Sequence, residues 1–257
     1  MKFNNRNISI SEKAKIGHNV RIGDNTVIYD NVEIGDNSVI CNNCIIGEPL
    51  VDYYRNEEYS NPPLVIGANS LIRSHAIIYA ASNIGDFFST GHHVIIREYS
   101  TIGSHCNIGT ASDIQGDLTI GNYCRIYGYV SIGKYSKIGN FVFMYPYTVI
   151  TNDPHPPSND LDGATIGDYT QVAVHSVILS GVKIGENCLI GANSLVNTVI
   201  PDYTFVISEP SKSMMDIRKF ITLRGKGRPY PWMYRFERGM PWEGIGFDNW
   251  MKGNQNK

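Results

Sequence analysis

The stretch Ala14–Ile40, "AKIGHNVRIGDNTVIYDNVEIGDNSVI", decides the fold. Isoleucine stands at 16, 22, 28, 34 and 40, one every six residues. Followed outward, the count holds from Ile10 to Ile46, resumes from Ile66 to Ile150, and runs a third time from Ile166 to Val196. Of these 28 rungs, 24 are isoleucine; the others are Thr90, Met144, Val172 and Val196. Internal repeats of this regularity indicate a solenoid.

Four residues after each rung sits a second set of small or β-branched residues, such as Val20, Thr26, Val32, Ser38, Ser100, Ser112, Ser136 and Ser194. The residue after a rung is often glycine, and the next two read as a turn. Asparagine fills the second turn position at 19, 25, 31, 37 and 43. It is among the few residues that tolerate a positive φ, so each corner calls for a left-handed backbone. Short strands with a tight corner every six residues give triangular coils of 18. Stacked coils pair as parallel strands around a dry column of rungs. The sequence thus predicts an all-β protein, a parallel β-helix of about nine coils, roughly 45 Å tall at ~4.8 Å per coil. The same phase puts Cys44, Cys106, Cys124 and Cys188 at the small inward position and Cys41 outside, so packing explains them better than a metal or redox pair.

A net charge of −2 argues against a nucleic-acid binder. No run of 18 apolar residues predicts a membrane helix, and the start "MKFNNRNISISEK" is too polar for a secretory signal, so a cytoplasmic location is expected. Five cysteines, an odd number, suggest no disulfide framework. Two loops interrupt the count, at 48–64 and 151–165; both are polar and carry adjacent prolines, and long loops on a rigid scaffold are usually functional. The β-helix domain is expected over 1–205. Residues 206–257 differ in composition, with ten Lys/Arg against five Asp/Glu and all three tryptophans. There "SKSMMDIRKFITL" has loosely helical spacing and predicts a short capping helix. The rest, "YPWMYRFERGMPWEGIGFDNW", reads as an aromatic arm that packs on the β-helix or on a neighbouring subunit.

The ladder resembles the hexapeptide-repeat family, which implies a left-handed β-helix; handedness rests on that resemblance, since parallel crossovers are generally right-handed. The segments "FSTGHHVIIREYSTIG…NIGTASDIQGDLTIGN", "VFMYPYTVITNDPHPPS" and "VILSGVKIGENCLIGANSLVNTVIPDY" resemble, more narrowly, the nucleotide-sugar N-acyltransferases, over about residues 66–212. That group transfers an acyl chain from acyl-CoA to the amine of an amino sugar carried on UDP or dTDP. The resemblance implies acetyl-CoA or another acyl-CoA as co-substrate, a nucleotide-sugar acceptor, no metal, and a homotrimer with sites in the clefts between prisms. Where the family commonly has "NPAK", this chain has Glu209-Pro210-Ser211-Lys212, and the tail beyond about 225 is not matched.

Such chemistry asks for a base to take the amine's proton, donors for an oxyanion, and two grooves that meet. His92 lies two residues after Thr90, at a corner where Gly91 leaves access, and histidine titrates near neutrality. Thr90 is the one polar rung, and an unsatisfied buried hydroxyl costs about 1–3 kcal/mol. His92 is therefore the candidate base, against the plainer reading of a solvated corner histidine. His93 is a neighbouring substrate contact, with His75 stacked beneath it. Asn152 and Asp153 open the second loop, where they orient the amine or the histidine, or merely start a turn before Pro154. Glu98 closes the "IRE" of the family-like segment and is read as a substrate contact. Tyr127 and Tyr145, with Tyr129 and Tyr147, flank one corner in successive coils, placed to sandwich a base or to meet another subunit. For the donor, Ala173, Gly191 and Ala192, with Ser194, leave room for a pantetheine arm, although the coil needs small residues there anyway. Lys212, Arg218 and Lys219 offer positive charge for CoA phosphates.

Two rival classes, and two alternatives within the class, stand beside this reading. Zinc carbonic anhydrases of similar fold carry two histidines five apart, which the histidines at 18, 75, 92, 93, 105, 155 and 175 do not provide. A structural or ice-binding β-helix would need regular outward arrays, and the outward positions here are irregular. Within the acyltransferase reading, the departing CoA sulfur is an alternative proton acceptor, and a non-nucleotide amine or alcohol an alternative substrate.

Overall fold

The computed structural model describes residues 5–207, 212–220 and 230–254. Three parallel sheets of ten, nine and eleven strands form the faces of a triangular prism. Each strand pairs with the one three further along, so Ile10 faces Ile28, Ile16 faces Ile34 and Ile22 faces Ile40. The architecture is the left-handed β-helix type. Its stack is taller than the nine coils predicted. Ile200 bridges to Ile184, and the strand Thr204–Ile207 pairs with Leu189–Ile190, extending the column beyond Val196.

From Ile28 onward the rungs point inward and bury almost completely; Ile40, Ile46, Ile72, Ile78, Ile96 and Ile108 have no exposed surface. The small inward position has its own logic. Sharp corners leave carbonyls without strand partners, and a short side chain with a donor reaches them. Ser112 Oγ donates to the Tyr127 carbonyl at 2.9 Å, Thr170 Oγ1 to Gly185 at 2.8 Å, and Ser176 Oγ to Gly191 at 2.9 Å. Cysteine does the same work, with Cys106 Sγ 3.0 Å from the Gly121 carbonyl and Cys124 Sγ 3.1 Å from Gly139. All five cysteines are free, and burial pushes the Cys44 and Cys188 thiols up to about 11. Burial and a raised thiol make Cys44 and Cys188 packing groups.

The positive φ expected from asparagine holds at every such corner, at 55° for Asn19 and Asn25. The same conformation is imposed on His75, His93, His105, Phe87, Phe141 and seven tyrosines, among them Tyr129 and Tyr147. An aromatic residue there costs roughly 1–2 kcal/mol of backbone strain. Stacking with the ring one coil away offsets part of it. On the edge between the second and third sheets, Phe87, His105, Tyr123, Phe141 and Tyr169 form one continuous stack at 4.5–5.1 Å.

That column receives the arm. Trp232, Met233, Met240 and Trp242 cluster with Phe141 and Phe143, Trp242 is fully buried, and Trp232 Nε1 donates to the Tyr169 carbonyl at 3.0 Å. The arm therefore packs on its own β-helix. The capping helix expected at "SKSMMDIRKFITL" does not form over the described part of that segment, 212–220. Lys212–Asp216 is a strand, antiparallel to Thr204–Ile207, followed by a 3-10 turn at Ile217–Lys219. The top strand of the third face has an open edge whose N–H and C=O groups need partners, and that demand outweighs weak helical spacing. The one α-helix among the described residues lies in the arm, at Phe247–Asn254.

Truncating a central rung should cost more than truncating a terminal one. Ile108→Ala is expected to lose about 2–5 kcal/mol in denaturant unfolding, and Ile16→Ala, which is only half-buried, markedly less.

Candidate functional site

The prism sorts the candidate residues by edge. On the edge joining the third sheet to the first lie Gly91, His92 and His93, and above them Tyr127, Tyr145, Ala173, Gly191 and Ala192. Lys212 starts the closing strand, opposite Ile207 and exposed, at the top of the same edge. On the edge joining the first sheet to the second lie Glu98, Asn152 and Asp153. Within one chain, His92 and Asn152 stand at opposite sides of the first sheet and three coils apart.

The notch at position 90 has a physical cause. In neighbouring coils the N–H after a rung donates to the rung carbonyl above, as from Cys41 to Ile72 (2.8 Å) and from Gly91 to Ile108 (2.7 Å). Arg73 N–H instead donates to Thr90 Oγ1 at 2.9 Å. Pairing below Thr90 shrinks to Ser89 with Leu71, while above it both residues of the strand pair. The buried hydroxyl is thus satisfied by taking a ladder hydrogen bond for itself. Only glycine fits next, since a Cβ at Gly91 would sit 2.2 Å from Thr110 N.

His92 is exposed, and its imidazole has no hydrogen-bond partner among the described residues. His93 stacks on His75 at 4.5 Å with ring planes 10° apart. The backbone of this edge differs from the edge between the second and third sheets. There a side chain one coil up caps the N–H of the middle corner residue, as Asn122 Oδ1 does for Ser104 and Asn140 Oδ1 for Asn122. On the His92 edge such caps end with Asn42 over Asp24. The N–H groups of His92 and Thr110 have no acceptor among the described residues.

Higher on this edge Tyr127 stacks on Tyr145 at 4.8 Å and Tyr129 on Tyr147 at 5.0 Å. Ala173, Gly191 and Ala192 continue it with almost no side chain. Of the basic residues expected near the top, Arg218 is committed to Asp216, whose carboxylate it holds down at about 2, while Lys212 makes no ion pair among the described residues. Glu209, Pro210 and Ser211 lie outside the described residues.

The other edge is more occupied. Glu98 is nearly buried and accepts from Arg97 at 2.9 and 3.0 Å and from Lys134 at 3.5 Å. Burial pushes its carboxyl up, but its own backbone N–H, Arg97 and Lys134 outweigh that and hold it low. Asp153 accepts from the N–H groups of His155 and Ser158 and from Ser158 Oγ, which fixes the loop that it opens. Asn152 and Asp153 line a cleft of about 480 Å³ with Leu179, Ser180 and Asn197. A further cleft of about 510 Å³ between Tyr99, Tyr135, Asp117 and Asp162 had no counterpart in the sequence reading, though tyrosine at the asparagine position of both corners was its signal. Among the described residues no group of three His, Cys, Asp or Glu is placed to hold a metal ion, and no helix is long and apolar enough to cross a membrane.

A family profile described as bacterial transferase hexapeptide (six repeats) matches residues 13–48 and 163–198. Those two stretches match that family's repeat pattern. No curated protein matches it significantly by sequence. Among solved structures it is similar to the UDP-N-acetylglucosamine acyltransferase of Arabidopsis, 19% identical over 80% of this chain and 72% of that one, with a TM-score of 0.65. A second UDP-N-acetylglucosamine acyltransferase is 22% identical over 80% and 70% of the two chains, with a TM-score of 0.50. Perosamine N-acetyltransferase from Caulobacter crescentus, solved with CoA and GDP-perosamine, is 21% identical over 57% of each chain, with a TM-score of 0.38, too loose a superposition to argue from. The first two likenesses establish the shared fold.

Gly91→Ala forces a Cβ into the backbone of the next coil. It should cost about 1–3 kcal/mol in denaturant unfolding, whereas Ala192→Ser on the same edge, where the position is exposed, should leave stability unchanged.

Proposed function

We propose that the protein is an acyl-CoA-dependent N-acyltransferase that acylates the amine of a nucleotide-linked amino sugar, acetyl being the default acyl group. The observation that carries this is the notch. An exposed imidazole at His92 sits beside a side-chain-free step at Gly91 and two uncapped N–H groups, on an edge that carries stacked tyrosines above it and then small residues at Ala173, Gly191 and Ala192 below Lys212. The repeat family and the fold shared with UDP-N-acetylglucosamine acyltransferases support the same class.

In this reading the neutral amine attacks the thioester carbonyl. A C–N bond forms, and negative charge grows on the carbonyl oxygen. The free N–H groups of His92 and Thr110 are the donors available for that charge, and preorganised backbone donors are worth several kcal/mol in a water-poor cleft. The C–S bond then breaks, CoA leaves as thiolate, and His92 takes the proton from nitrogen and passes it to sulfur. Pantetheine runs along Ala173, Gly191 and Ala192, and Lys212 meets a CoA phosphate. His93, Tyr127 and Tyr145 contact the acceptor.

One chain does not complete this site, because the first sheet separates Asn152 and Asp153 from His92. The protein therefore works as a homotrimer in which the loop of one prism faces the His92 edge of the next. Glu98, held by Arg97 and Lys134, then acts by stabilising its own edge more than by touching substrate. A second mechanism is favoured by one observation: no described residue orients the His92 ring. If the thiolate itself takes the proton, His92 only positions substrate.

Thiol release measured over a panel of acyl-CoAs and UDP- or dTDP-amino sugars tests the class; no release from any pair refutes it. With the active pair, His92→Asn should lower kcat by about 10²-fold or more if the ring is the base. A loss under about tenfold assigns the proton to sulfur.

A further inference from the structure

One corner position on the His92 edge carries an aromatic column with a single rung missing. Reading upward through the residues of positive φ, the edge presents His75, His93, Ala111, Tyr129, Tyr147 and His175. Below the gap, His93 is backed by His75 in a stacked pair at 4.5 Å. Above it, Tyr129 is backed by Tyr147 in a stacked pair at 5.0 Å, and Tyr147 meets His175 at 5.0 Å. His93 and Tyr129, two coils apart, face one another across a half-buried alanine, and both rings are exposed. Two coils span about 9.6 Å, twice the spacing at which this protein's own rings stack.

We infer that this gap is a stacking slot for a nucleobase, which sits over Ala111 as the missing rung between His93 and Tyr129. A planar ring there repeats the column's own geometry on both faces, with each wall already held flat by the ring behind it. Base–aromatic stacking of this kind tolerates any base, so the slot fixes a nucleotide without reading it. What surrounds the slot suits a nucleotide in particular. Gly91 and Gly109 flank it without side chains, and Arg73, exposed one coil below Gly91, forms no ion pair among the described residues. An unpaired guanidinium beside a bare step is what phosphate oxygens require.

The inference deepens the nucleotide-sugar reading, on which its choice of ligand rests, but its test reads binding and not turnover. Base stacking has two sources in that reaction, the acceptor's pyrimidine nucleotide and the adenine of CoA. UMP, dTMP and 3′,5′-ADP are titrated separately against wild type, Ala111→Tyr and Tyr129→Asn, with ring-proton shifts of each nucleotide followed by NMR. Tyrosine already occupies this corner position at Tyr99, Tyr123, Tyr129, Tyr135, Tyr147, Tyr169 and Tyr203, and asparagine at Asn187 and Asn193, so both variants keep a tested backbone. Ala111→Tyr should fill the gap and weaken nucleotide binding about tenfold or more, with unchanged mass in solution and melting temperature. Tyr129→Asn should weaken it by removing one wall. Loss confined to UMP or dTMP assigns the slot to the acceptor, and loss confined to 3′,5′-ADP assigns it to the donor. Nucleotide binding that is absent in wild type, or equal in wild type and Ala111→Tyr, overturns the slot. Nucleotide binding that follows the slot while no acyl-CoA releases thiol would overturn the acyltransferase reading and leave the slot standing.

Discussion

The structure depends on one constraint, the register that locks each residue onto the one directly above it in the next coil. Backbone hydrogen bonds parallel to the prism axis fix it, as from Ser11 N–H to the Ile28 carbonyl at 2.9 Å, and the dry isoleucine column makes any slip bury the wrong face. Once that register is set, every side chain on an edge has a neighbour of known type at one coil spacing. Edges therefore behave as columns, and chemistry can be placed by substituting single residues in them. The three edges have diverged accordingly. One carries stacked rings that seat the arm, one carries both loops and the Glu98–Lys134–Asp117 ion pairs, and one is stripped of caps around His92.

Thr90 shows how a polar step is cut into such a column without opening the core to solvent. Isoleucine at this position would have left the Arg73 N–H with a ladder carbonyl. Threonine is smaller than isoleucine, lacking its δ-methyl, but stays buried and uses its hydroxyl to accept that N–H, so the hydroxyl itself is not left alone. The cost is one weakened strand pairing at the coil that presents His92. The buried cysteines stand at inward corners where other coils carry serine, and reach the same kind of carbonyl.

Most of the fold was legible in the isoleucine count, because a buried column and an 18-residue register both write themselves into sequence as period. The count also held the separation of His92 from Asn152, since Thr90 and Met144 are rungs of one face and Ile150 of the next. What was not legible lacks that period. The strand Lys212–Asp216 exists because an open sheet edge above it needs partners, a demand that local spacing does not express. The arm's fold is set by where Phe141 and Phe143 lie, 90 residues or so away in sequence, and the commitment of Asp153 to its own loop by a turn whose donors are two backbone N–H groups and the Ser158 hydroxyl. The bare N–H groups beside His92 are visible only by comparison with the capped edge, which requires the stacking to be known first.

The central claim is that catalysis needs the His92 edge of one prism and the Asn152 loop of the next. Mixed assembly of two inactive chains tests it most directly. A His92→Asn chain and an Asn152→Ala chain are each assayed alone and then after co-expression, with thiol release as readout. If the site is shared between subunits, the mixed assemblies recover activity that neither parent has, because some clefts pair an intact edge with an intact loop. Mixed assemblies no more active than the parents would contradict the shared cleft and place the whole site within one chain.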